Sequence, residues 1–399
     1  MQAGVRALVF VMPVVVCVAM LAPVAAGTAA QGNNLVPDPD VWLQGLSTSD
    51  RVAQLFMVTF SGSTAADAQT AIGDLHVGAI VLLANAVDAP DVTRLTQALQ
   101  DLAQVDGVLP LLIANNHEGG SVQPIRGQVS SLGSNWEVGQ IQPLSDAVAA
   151  ACVRGATHGR ELAAMGINTD LAPVLDVLDN PNNTVIGDRA YSSDPQVVAS
   201  LGSAYIEAMQ AQGVLAVGKH FPGHGSTSED SHLTLPFDTH SRSVIEAREL
   251  LPFRAALQAN VTGILVAHVN YPALDLFPSR PASLSPAIVT DLLRGELGFD
   301  GLVMTDDLGL MRAITDRFET GDAAVQAVLA GADMLIVVGS AGSQRRAVQA
   351  VADAVDQGTI SADRLRSAAR HVLMAKQRAG LLGSPRRGMA TATPVCSAG

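Results

Sequence analysis

The chain has 399 residues, of which 48% are hydrophobic and 15% are charged. This composition excludes an intrinsically disordered protein, and the length is sufficient for a large buried core and for two or three domains. The formal net charge is −13 and the sequence has no basic stripe, which argues against nucleic acid as a partner.

The N-terminal segment, residues 1–30, is predicted to be a secretory signal peptide. Arg6 is the only charged residue before an apolar stretch from Ala7 to Ala26, and small residues suited to cleavage follow. The predicted location is therefore outside the cytoplasm, secreted or associated with the cell envelope. A retained membrane anchor is the alternative, because the stretch approaches the length that spans a bilayer. A lipid anchor at Cys17 is disfavoured, because Val16 stands where such sites usually have a small residue.

Eight short apolar runs in the body of the chain predict eight β-strands. They cover Leu55–Phe60, Ala79–Leu83, Pro110–Ala114, Ile167–Val174, Val214–Val217, Gly263–Val269, Gly301–Met304 and Met334–Val338. Segments with helical spacing lie between most of them. The clearest of these contain Val92, Leu95, Leu99 and Leu102, then Val198, Leu201 and Tyr205, then Ala323–Ala330 and Ala347–Val355.

The alternation of strands with helices predicts parallel βαβ units. Eight such units in about 340 residues predict a single (β/α)8 barrel, a TIM-type α/β fold, over residues 37–383. An open doubly wound sheet is the alternative, because periodicity does not show whether a sheet closes. The G-x-G-x-x-G fingerprint of a dinucleotide-binding fold is not found after the first predicted strand.

The C-terminal residues 384–399 are rich in Ser, Pro, Ala and Thr, and this composition predicts a disordered tail. After removal of a signal peptide the two remaining cysteines are Cys152 and Cys396, and the second lies in that tail. Two cysteines so far apart do not indicate a disulfide framework, although they are compatible with export.

A barrel places its chemistry directly after its strands, and polar residues do follow several of the predicted strands. They are Asn116, His117 and Glu118 after the third, Asp176 after the fourth, Lys219 and His220 after the fifth, His268 at the end of the sixth, and Asp306 and Asp307 after the seventh. The sequence therefore predicts an active site at the carboxyl ends of the strands.

The densest group of titratable residues is the run KHFPGHGSTSEDSH, from Lys219 to His232. Pro222 and Gly223 interrupt it, so it does not form a regular helix. A solvated loop that happens to contain several histidines is one interpretation. A zinc site is another, but the same proline and glycine break the helix that would align His220 with His224.

Asp230 and His232 are two residues apart, so in an extended segment both side chains lie on one face, within contact distance. A carboxylate beside an imidazole orients the ring and favours its protonated form, which suits proton transfer near neutral pH. On spacing alone, a surface ion pair is the alternative.

Asp306 and Asp307 end the buried run VMTDD. Adjacent side chains point in different directions, so one can face the barrel mouth while the other, most simply Asp307, caps the helical turn that follows. A carboxylate at the mouth is suited to act as a nucleophile, a metal ligand or a group that binds the substrate.

The KHFPGHG motif, followed after four residues by DSH, resembles family 3 of the glycoside hydrolases, in its single-domain β-N-acetylglucosaminidase branch. Further matching segments are Asn168–Val177, Ile186–Pro195, Ala267–Asp275, Pro281–Pro286, Leu297–Leu310 and Gly331–Leu335. The resemblance implies a (β/α)8 barrel and retaining hydrolysis of terminal β-linked N-acetylglucosamine, often from cell-wall peptidoglycan fragments. It implies a small carbohydrate as the partner and neither a cofactor nor a metal.

The resemblance also assigns roles to individual residues. Asp306 matches the nucleophile, His232 the acid/base and Asp230 its partner. Lys219, His220 and Arg189 match residues that hold the sugar. A carboxylate nucleophile forms a covalent glycosyl-enzyme, while a second group, ordinarily a carboxylic acid and here a histidine, protonates the leaving oxygen and then activates water. Because glycine and serine residues surround it, the loop that carries His232 is expected to be flexible and to swing into place.

One segment departs from the family pattern. Where the family has D-Q-E-G-G-R, this chain has Asn116 in place of the sugar-binding aspartate and Ser121 in place of the arginine. An amide still bonds hydroxyls but lacks the strength of a charged acceptor. A sugar-binding protein without turnover is therefore one alternative. A β-glucosidase of the same family is another, although such enzymes usually carry the acid/base on an extra domain for which this chain has no room.

Overall fold

The computed structural model describes residues 1, 38–83, 89–127, 129–383 and 396. The signal peptide predicted over residues 1–30 and the tail predicted over residues 384–399 lie outside the described residues, apart from Met1 and Cys396. Within the described ranges, no helix is both long enough and apolar enough to cross a membrane.

Eight parallel strands form the centre of the fold. They are β1 Phe56–Val58, β2 Ala79–Val81, β3 Leu112–Asn115, β4 Thr169–Asp170, β5 Leu215–Phe221, β6 Gly263–Val266, β7 Leu302–Thr305 and β8 Leu335–Val337. Their order is β7-β6-β5-β4-β3-β2-β1-β8. The outer strands meet through a parallel bridge between Met304 and Met334, and the Met334 N–H donates to the Val303 carbonyl oxygen at 3.0 Å. The sheet therefore closes, which confirms the predicted (β/α)8 barrel and excludes the open sheet.

Twelve α-helices of the described residues surround the strands. They are α1 Pro39–Gly45, α2 Thr48–Gln54, α3 Ala89–Val105, α4 Asn135–Gly139, α5 Leu144–Ala164, α6 Pro195–Gln210, α7 Arg242–Ala247, α8 Leu250–Gln258, α9 Arg312–Thr315, α10 Thr320–Ala330, α11 Ala341–Asp356 and α12 Ala362–Arg378. The starts are set by local sequence: Ser47 forms a capping box with Asp50 before α2, and Asp194 caps α6. The four predicted helical segments lie in α3, α6, α10 and α11.

Two strands differ most from their predicted limits, while the other six differ by one to three residues. The predicted run Ile167–Val174 shortens to Thr169–Asp170, because Pro173 has no N–H to donate to a neighbouring strand. The fifth strand is longer than predicted and continues to Phe221, so Lys219 and His220 lie in the strand rather than after it. Because these two residues are polar, the sequence predicted that the strand ends at Val217. At the mouth of a barrel, however, the last residues of a strand face the site and can be polar.

The barrel interior is filled by side chains from seven of the eight strands, from Leu171 directly after β4 and from α12. Met57, Leu112 and Met304 are among the strand residues, and each of them is fully buried, while Leu171 is 3% exposed. Val372, Ala375 and Ala379 belong to the same cluster. Because helix α12 and the residue after it contribute to the interior cluster, this helix closes the barrel at the end opposite the predicted site.

Lys376 on α12 is fully buried, and burial lowers the pKa of its ammonium group to about 7. Its Nζ donates to Oε1 of Gln54 at 2.5 Å. We expect Lys376→Met to raise the free energy of unfolding at neutral pH by roughly 1–3 kcal/mol, because methionine of similar size removes the buried charge. Between pH about 7 and 10.5 the unfolded chain binds more protons at this site than the native state.

The stability advantage of Lys376→Met should therefore be largest at and below pH 7 and should shrink as the pH rises through this window, because the wild-type protein gains stability there. Denaturant unfolding of both proteins at about pH 6, 8 and 10 measures the difference. A difference that does not change with pH would contradict the assignment of a buried, titrating lysine.

A disulfide joins Cys152 on α5 to Cys396. The sequence interpretation, which found no disulfide framework, is wrong on this point. The two cysteines are 244 residues apart, and the fold brings them together although their spacing gives no signal. The disulfide ties one residue of the C-terminal segment to the outer layer of helices.

Candidate active site

A cavity of about 280 Å³ opens at the carboxyl ends of the strands. Six of the seven predicted site residues line it, namely Asn116, Arg189, Lys219, His220, His232 and Asp306. The seventh, Asp230, contacts His232. The structure therefore brings together the seven predicted site residues, whereas His117, Asp176 and His268, also noted at strand ends, are not part of the lining.

Glu118 holds two cations on one side of the cavity. Its carboxylate is buried and accepts hydrogen bonds from Arg189, Nε to Oε2 at 2.7 Å and Nη2 to Oε1 at 2.9 Å. Lys219 Nζ lies 2.5 Å from Oε1 of the same carboxylate. Burial opposes ionisation of Glu118, but the two cations outweigh it and lower its pKa to about 2. From the sequence, Glu118 was predicted only to lie at a strand end, because Arg189 and Lys219 are distant from it in the chain.

Asp176 fixes the histidine beside these cations. Its Oδ2 lies 2.7 Å from His220 Nδ1, and its Oδ1 accepts the backbone N–H groups of His220 and His224 at 3.2 and 2.7 Å. Burial raises the pKa of Asp176, but the positive charge available on His220 more than offsets this and lowers it. The His220 ring is thereby oriented with Nε2 3.5 Å from Arg189 Nη2.

Asp306 and Asp307 have different surroundings although they are adjacent. Burial raises the pKa of Asp306, but His268 and His220 outweigh it and lower the pKa below its ordinary value of 3.8, so this carboxylate is ionised at neutral pH. Asp307 accepts the N–H groups of Gly309, Leu310 and Val338 at 2.7–2.9 Å. Burial raises the pKa of Asp307 to about 6. The predicted division between a residue at the mouth and a capping residue matches this arrangement.

His268 supports the loop that carries the two aspartates. Its Nε2 donates to the Asp307 carbonyl oxygen at 2.9 Å, and its Nδ1 lies 2.7 Å from the Ser283 hydroxyl oxygen. Burial lowers the pKa of His268, while the nearby Asp306 carboxylate acts in the opposite direction. His268 therefore holds the end of β7 in place.

The Asp230–His232 pair forms as predicted, with Nδ1 of the imidazole 2.7 Å from Oδ1 of the carboxylate. The predicted extended conformation is wrong. The same Oδ1 accepts the His232 backbone N–H at 2.8 Å, and the Leu233 N–H donates to the Asp230 carbonyl oxygen at 2.9 Å, so the segment is a turn. The side chain of His232 is 63% exposed, and its Nδ1 contact leaves Nε2 to face the cavity.

The loop that carries this pair is tied down from below by His224. Thr227 donates its hydroxyl proton to the His224 carbonyl oxygen at 3.0 Å, so its Oγ1 accepts from His224 Nδ1 at 2.7 Å. His224 Nε2 then accepts from the Ser231 hydroxyl at 3.2 Å. Burial lowers the pKa of His224 to about 4, which keeps the ring neutral.

Three residues of this loop, His224, Thr227 and Ser231, are at most 2% exposed, so the base of the loop is packed into the protein although its glycines and serines predict flexibility. The backbone N–H groups of Arg312 and Ala313 also donate to the carbonyl oxygens of His232 and Ser231 at 3.2 and 3.1 Å. The loop is therefore anchored to the segment that follows the two aspartates.

We expect Ser231→Ala to misplace His232, because it removes the bond from the loop to His224. Turnover of substrates with poor leaving groups should fall roughly 3- to 10-fold, while substrates with good leaving groups change less. Steady-state kinetics with both kinds of substrate provide the measurement.

Ser228→Ala is the matched control for Ser231→Ala, since its hydroxyl accepts from Asn180 at 3.1 Å rather than bonding to His224. An equal loss for both leaving-group classes in Ser231→Ala would contradict a positioning role for Ser231. A loss in the control as large as in Ser231→Ala would contradict it as well.

The zinc interpretation of the histidines is not favoured by their contacts. His220 Nδ1 faces Asp176, and both ring nitrogens of His224 are engaged with Thr227 and Ser231. Among the described residues, no group of three or more histidine, cysteine, aspartate or glutamate side chains is placed to hold a metal ion.

The model of the glycosyl hydrolase family 3 N-terminal domain matches residues 47–375 of the chain. The chain is also similar to LpqI, a β-hexosaminidase of Mycobacterium tuberculosis, with 38% identity over 322 residues that cover 78% of this chain and 77% of LpqI. The chain belongs to glycoside hydrolase family 3. This confirms the resemblance inferred from the KHFPGHG and DSH motifs.

Other family 3 members extend the comparison. β-Hexosaminidase A of Pseudoalteromonas piscicida is 42% identical over 272 residues, which cover 65% of this chain and 45% of that protein. The β-N-acetylglucosaminidase of Paenibacillus sp. str. FPU-7 superposes with a TM-score of 0.81 at 39% identity, covering 84% of this chain and 63% of that chain. The chain thus spans less than half of the first protein and less than two thirds of the second.

The solved structure of Mycobacterium tuberculosis LpqI gives a TM-score of 0.76 at 35% identity, over 86% of this chain and 97% of that chain. The relatives compared with this family 3 chain are thus named β-hexosaminidases or β-N-acetylglucosaminidases, in agreement with the resemblance found in the sequence.

The departure of this family 3 protein from D-Q-E-G-G-R has visible consequences. Asn116 lies in the cavity with its Oδ1 3.4 Å from Lys219 Nζ, so a neutral amide stands beside the cation. Ser121 donates to Asp188 Oδ1 at 2.7 Å and is placed outside the cavity lining. Glu118 is thus the carboxylate that holds Lys219.

Proposed function

We propose that this family 3 protein is a retaining β-N-acetylglucosaminidase that removes terminal, non-reducing β-linked N-acetylglucosamine. One observation carries the proposal: a single cavity is lined by the ionised carboxylate of Asp306 and by His232, whose ring contacts Asp230, next to the cations held by Glu118. A nucleophile, a proton donor and a sugar-binding side are the three parts that a retaining glycosidase needs.

The chemistry follows from these groups. An oxygen of Asp306 attacks the anomeric carbon, the bond from that carbon to the leaving oxygen breaks, and His232 Nε2 delivers its proton to that oxygen. The products of this step are a glycosyl ester on Asp306 and a free alcohol. His232, now neutral, then takes a proton from water as the water attacks the same carbon. The carboxylate of Asp306 is restored, and the configuration is retained after two inversions.

Asp230 makes histidine suitable for a role that is ordinarily played by a carboxylic acid. Its contact with Nδ1 fixes the tautomer in which Nε2 faces the substrate, and its charge stabilises the imidazolium that donates the proton. Arg189, Lys219, His220 and Asn116 line the same cavity, and in this proposal they bond the sugar hydroxyls.

We further propose that the sugar comes from cell-wall peptidoglycan fragments and that the protein acts outside the cytoplasm. The resemblance to the single-domain branch of the family supports the first point. The Cys152–Cys396 disulfide supports the second, because disulfides persist in oxidising compartments. N-terminal sequencing of exported protein should place the mature end between Gly27 and Val36. A cytoplasmic product that begins at Met1 would contradict export.

The activity is tested by incubating the protein with chromogenic β-N-acetylglucosaminide and β-glucoside, each with and without a chelator. We expect turnover of the N-acetylglucosaminide that the chelator does not change. Preferred turnover of the glucoside would contradict the proposed substrate and favour a β-glucosidase. Binding of N-acetylglucosamine without turnover of either substrate would favour a sugar-binding protein.

A further inference from the structure

The cavity has two chemically different sides. The side formed by β3, β5 and the segment around Arg189 carries the polar groups proposed to hold sugar hydroxyls, together with the apolar pair Val185–Ile186. On the other side, Leu83 after β2, Val338 after β8 and Leu310 after β7 line the cavity with hydrocarbon. Ligand sites commonly combine a few placed polar groups with apolar walls, so the second side is suited to an apolar part of the ligand.

The apolar side has a fixed arrangement, because the carboxylate of Asp307 accepts hydrogen bonds from the backbone of two of its residues. One carboxylate oxygen accepts the Val338 N–H at 2.7 Å, and the other accepts the Leu310 N–H at 2.9 Å. A Cβ added to Gly339 would lie 3.5 Å from Leu310 Cδ2, so the leucine side chain rests over that glycine. Asp307, which follows the proposed nucleophile in the chain, thus holds the backbone at two hydrophobic residues of the cavity lining.

Leu310 lies on the outer edge of the cavity and is 60% exposed, a large fraction for a leucine held in place by its backbone. The loop that bears it is bonded to the loop that bears the proton donor, since the Arg312 N–H donates to the His232 carbonyl oxygen at 3.2 Å. Leu233, directly after His232, is 62% exposed. Exposed hydrocarbon therefore flanks the group that must face the leaving oxygen.

We propose that Leu310, with Val338 and Leu83, forms an apolar subsite for the leaving group, which favours leaving groups that carry hydrocarbon near the glycosidic oxygen. This inference rests on the proposed function, because it needs His232 to face the glycosidic oxygen. The hydroxyls of the sugar bond the polar side, so the leaving group on the far side of the anomeric carbon meets the hydrocarbon. An open, solvent-facing leucine gains most when a hydrophobic group covers it.

The test compares methyl, butyl and hexyl β-N-acetylglucosaminides, whose alcohols leave with similar ease but differ in hydrocarbon area. Release of N-acetylglucosamine measures kcat/KM for each substrate. We expect kcat/KM to rise about ten-fold from methyl to hexyl in the wild-type protein. Leu310→Ser should remove most of that rise, and Leu310→Met should retain it.

Leu276→Ser is the matched control, because Leu276 is 94% exposed but is not among the residues that line the cavity. It should leave the rise unchanged. The subsite would be overturned if kcat/KM did not rise from methyl to hexyl in the wild-type protein. It would also be overturned if that rise persisted in Leu310→Ser, or if this variant lost kcat/KM equally for all three substrates. The last result would place the apolar side against the sugar itself.

The experiments distinguish a failure of the proposed function from a failure of the apolar subsite. Absence of turnover of every N-acetylglucosaminide, chromogenic ones included, would contradict the proposed function and overturn the subsite with it. Turnover of the chromogenic substrate together with a flat alkyl series would overturn the subsite alone.

Discussion

Asp306→Asn is expected to lower turnover of β-N-acetylglucosaminides by several orders of magnitude, because an amide does not form the covalent glycosyl ester. The substitution keeps the size of the side chain and its place in the cavity. The native carboxylate is ionised at neutral pH, since His268 and His220 outweigh the effect of burial on its pKa. Single-turnover kinetics should show that the loss lies in the first chemical step.

Asp307→Asn is the control for this prediction. Asp307 accepts three backbone N–H groups and holds the loop after β7 against β8. Its substitution should destabilise that loop and lower activity far less than Asp306→Asn does, and thermal unfolding measured alongside separates the two effects. Equal losses of turnover in both variants, with both proteins folded, would contradict the assignment of the nucleophile within the pair.

His232→Ala is expected to affect substrates according to their leaving group. Substrates with a poor leaving group, such as a second sugar, should lose roughly 10²–10⁴-fold in kcat/KM, because their oxygen requires protonation as the bond breaks. Substrates with a good leaving group need little protonation, so their first step should survive. A plot of log kcat/KM against leaving-group pKa measures this and should become steeper in the variant.

Asp230→Ala should give a milder form of the same behaviour, since the imidazole remains but loses the carboxylate 2.7 Å from its Nδ1. His240 and Asp238 form a pair of the same geometry in the following segment, also at 2.7 Å, but neither residue is part of the cavity lining. His240→Ala is therefore the matched control for His232→Ala. Equal losses for good and poor leaving groups in His232→Ala would assign that residue to binding.

The fold could be predicted from the sequence because its strands are buried on both sides. Apolar runs such as Ala79–Leu83 therefore mark the strands directly, and amphipathic segments mark the helices between them. The predicted ends of the strands were wrong where tertiary structure overrides the local composition. Lys219 and His220 belong to β5 because the end of a barrel strand faces the site, and the polarity of these residues therefore misplaced the end of the strand.

The site could be predicted to the extent that it is local in sequence. Asp230 and His232 are two residues apart, so their contact followed from spacing, although the turn that makes it was not foreseen. The structural role of Glu118 was missed, because Arg189 and Lys219 are distant in sequence and only the closed barrel brings them to one carboxylate.

The disulfide was missed for a related reason. Cys152 and Cys396 are separated by 244 residues, and no periodic pattern relates a cysteine on α5 to one near the C-terminus. The anchoring of the loop by His224 was also not predicted. Small residues such as Gly225 and Ser226 suggest flexibility, and the tautomer of a buried histidine can be inferred only from its contacts in the structure.

The central claim is that Asp306 becomes covalently bonded to the sugar while His232 assists. Intact-mass and peptide mass spectrometry after incubation with a fluorinated N-acetylglucosaminyl fluoride, which forms the ester faster than water removes it, tests this most directly. We predict one added sugar per chain, located on the peptide that contains Asp306 and absent in Asp306→Asn. Turnover of normal substrate with no adduct, or with an adduct on a different carboxylate, would contradict the claim.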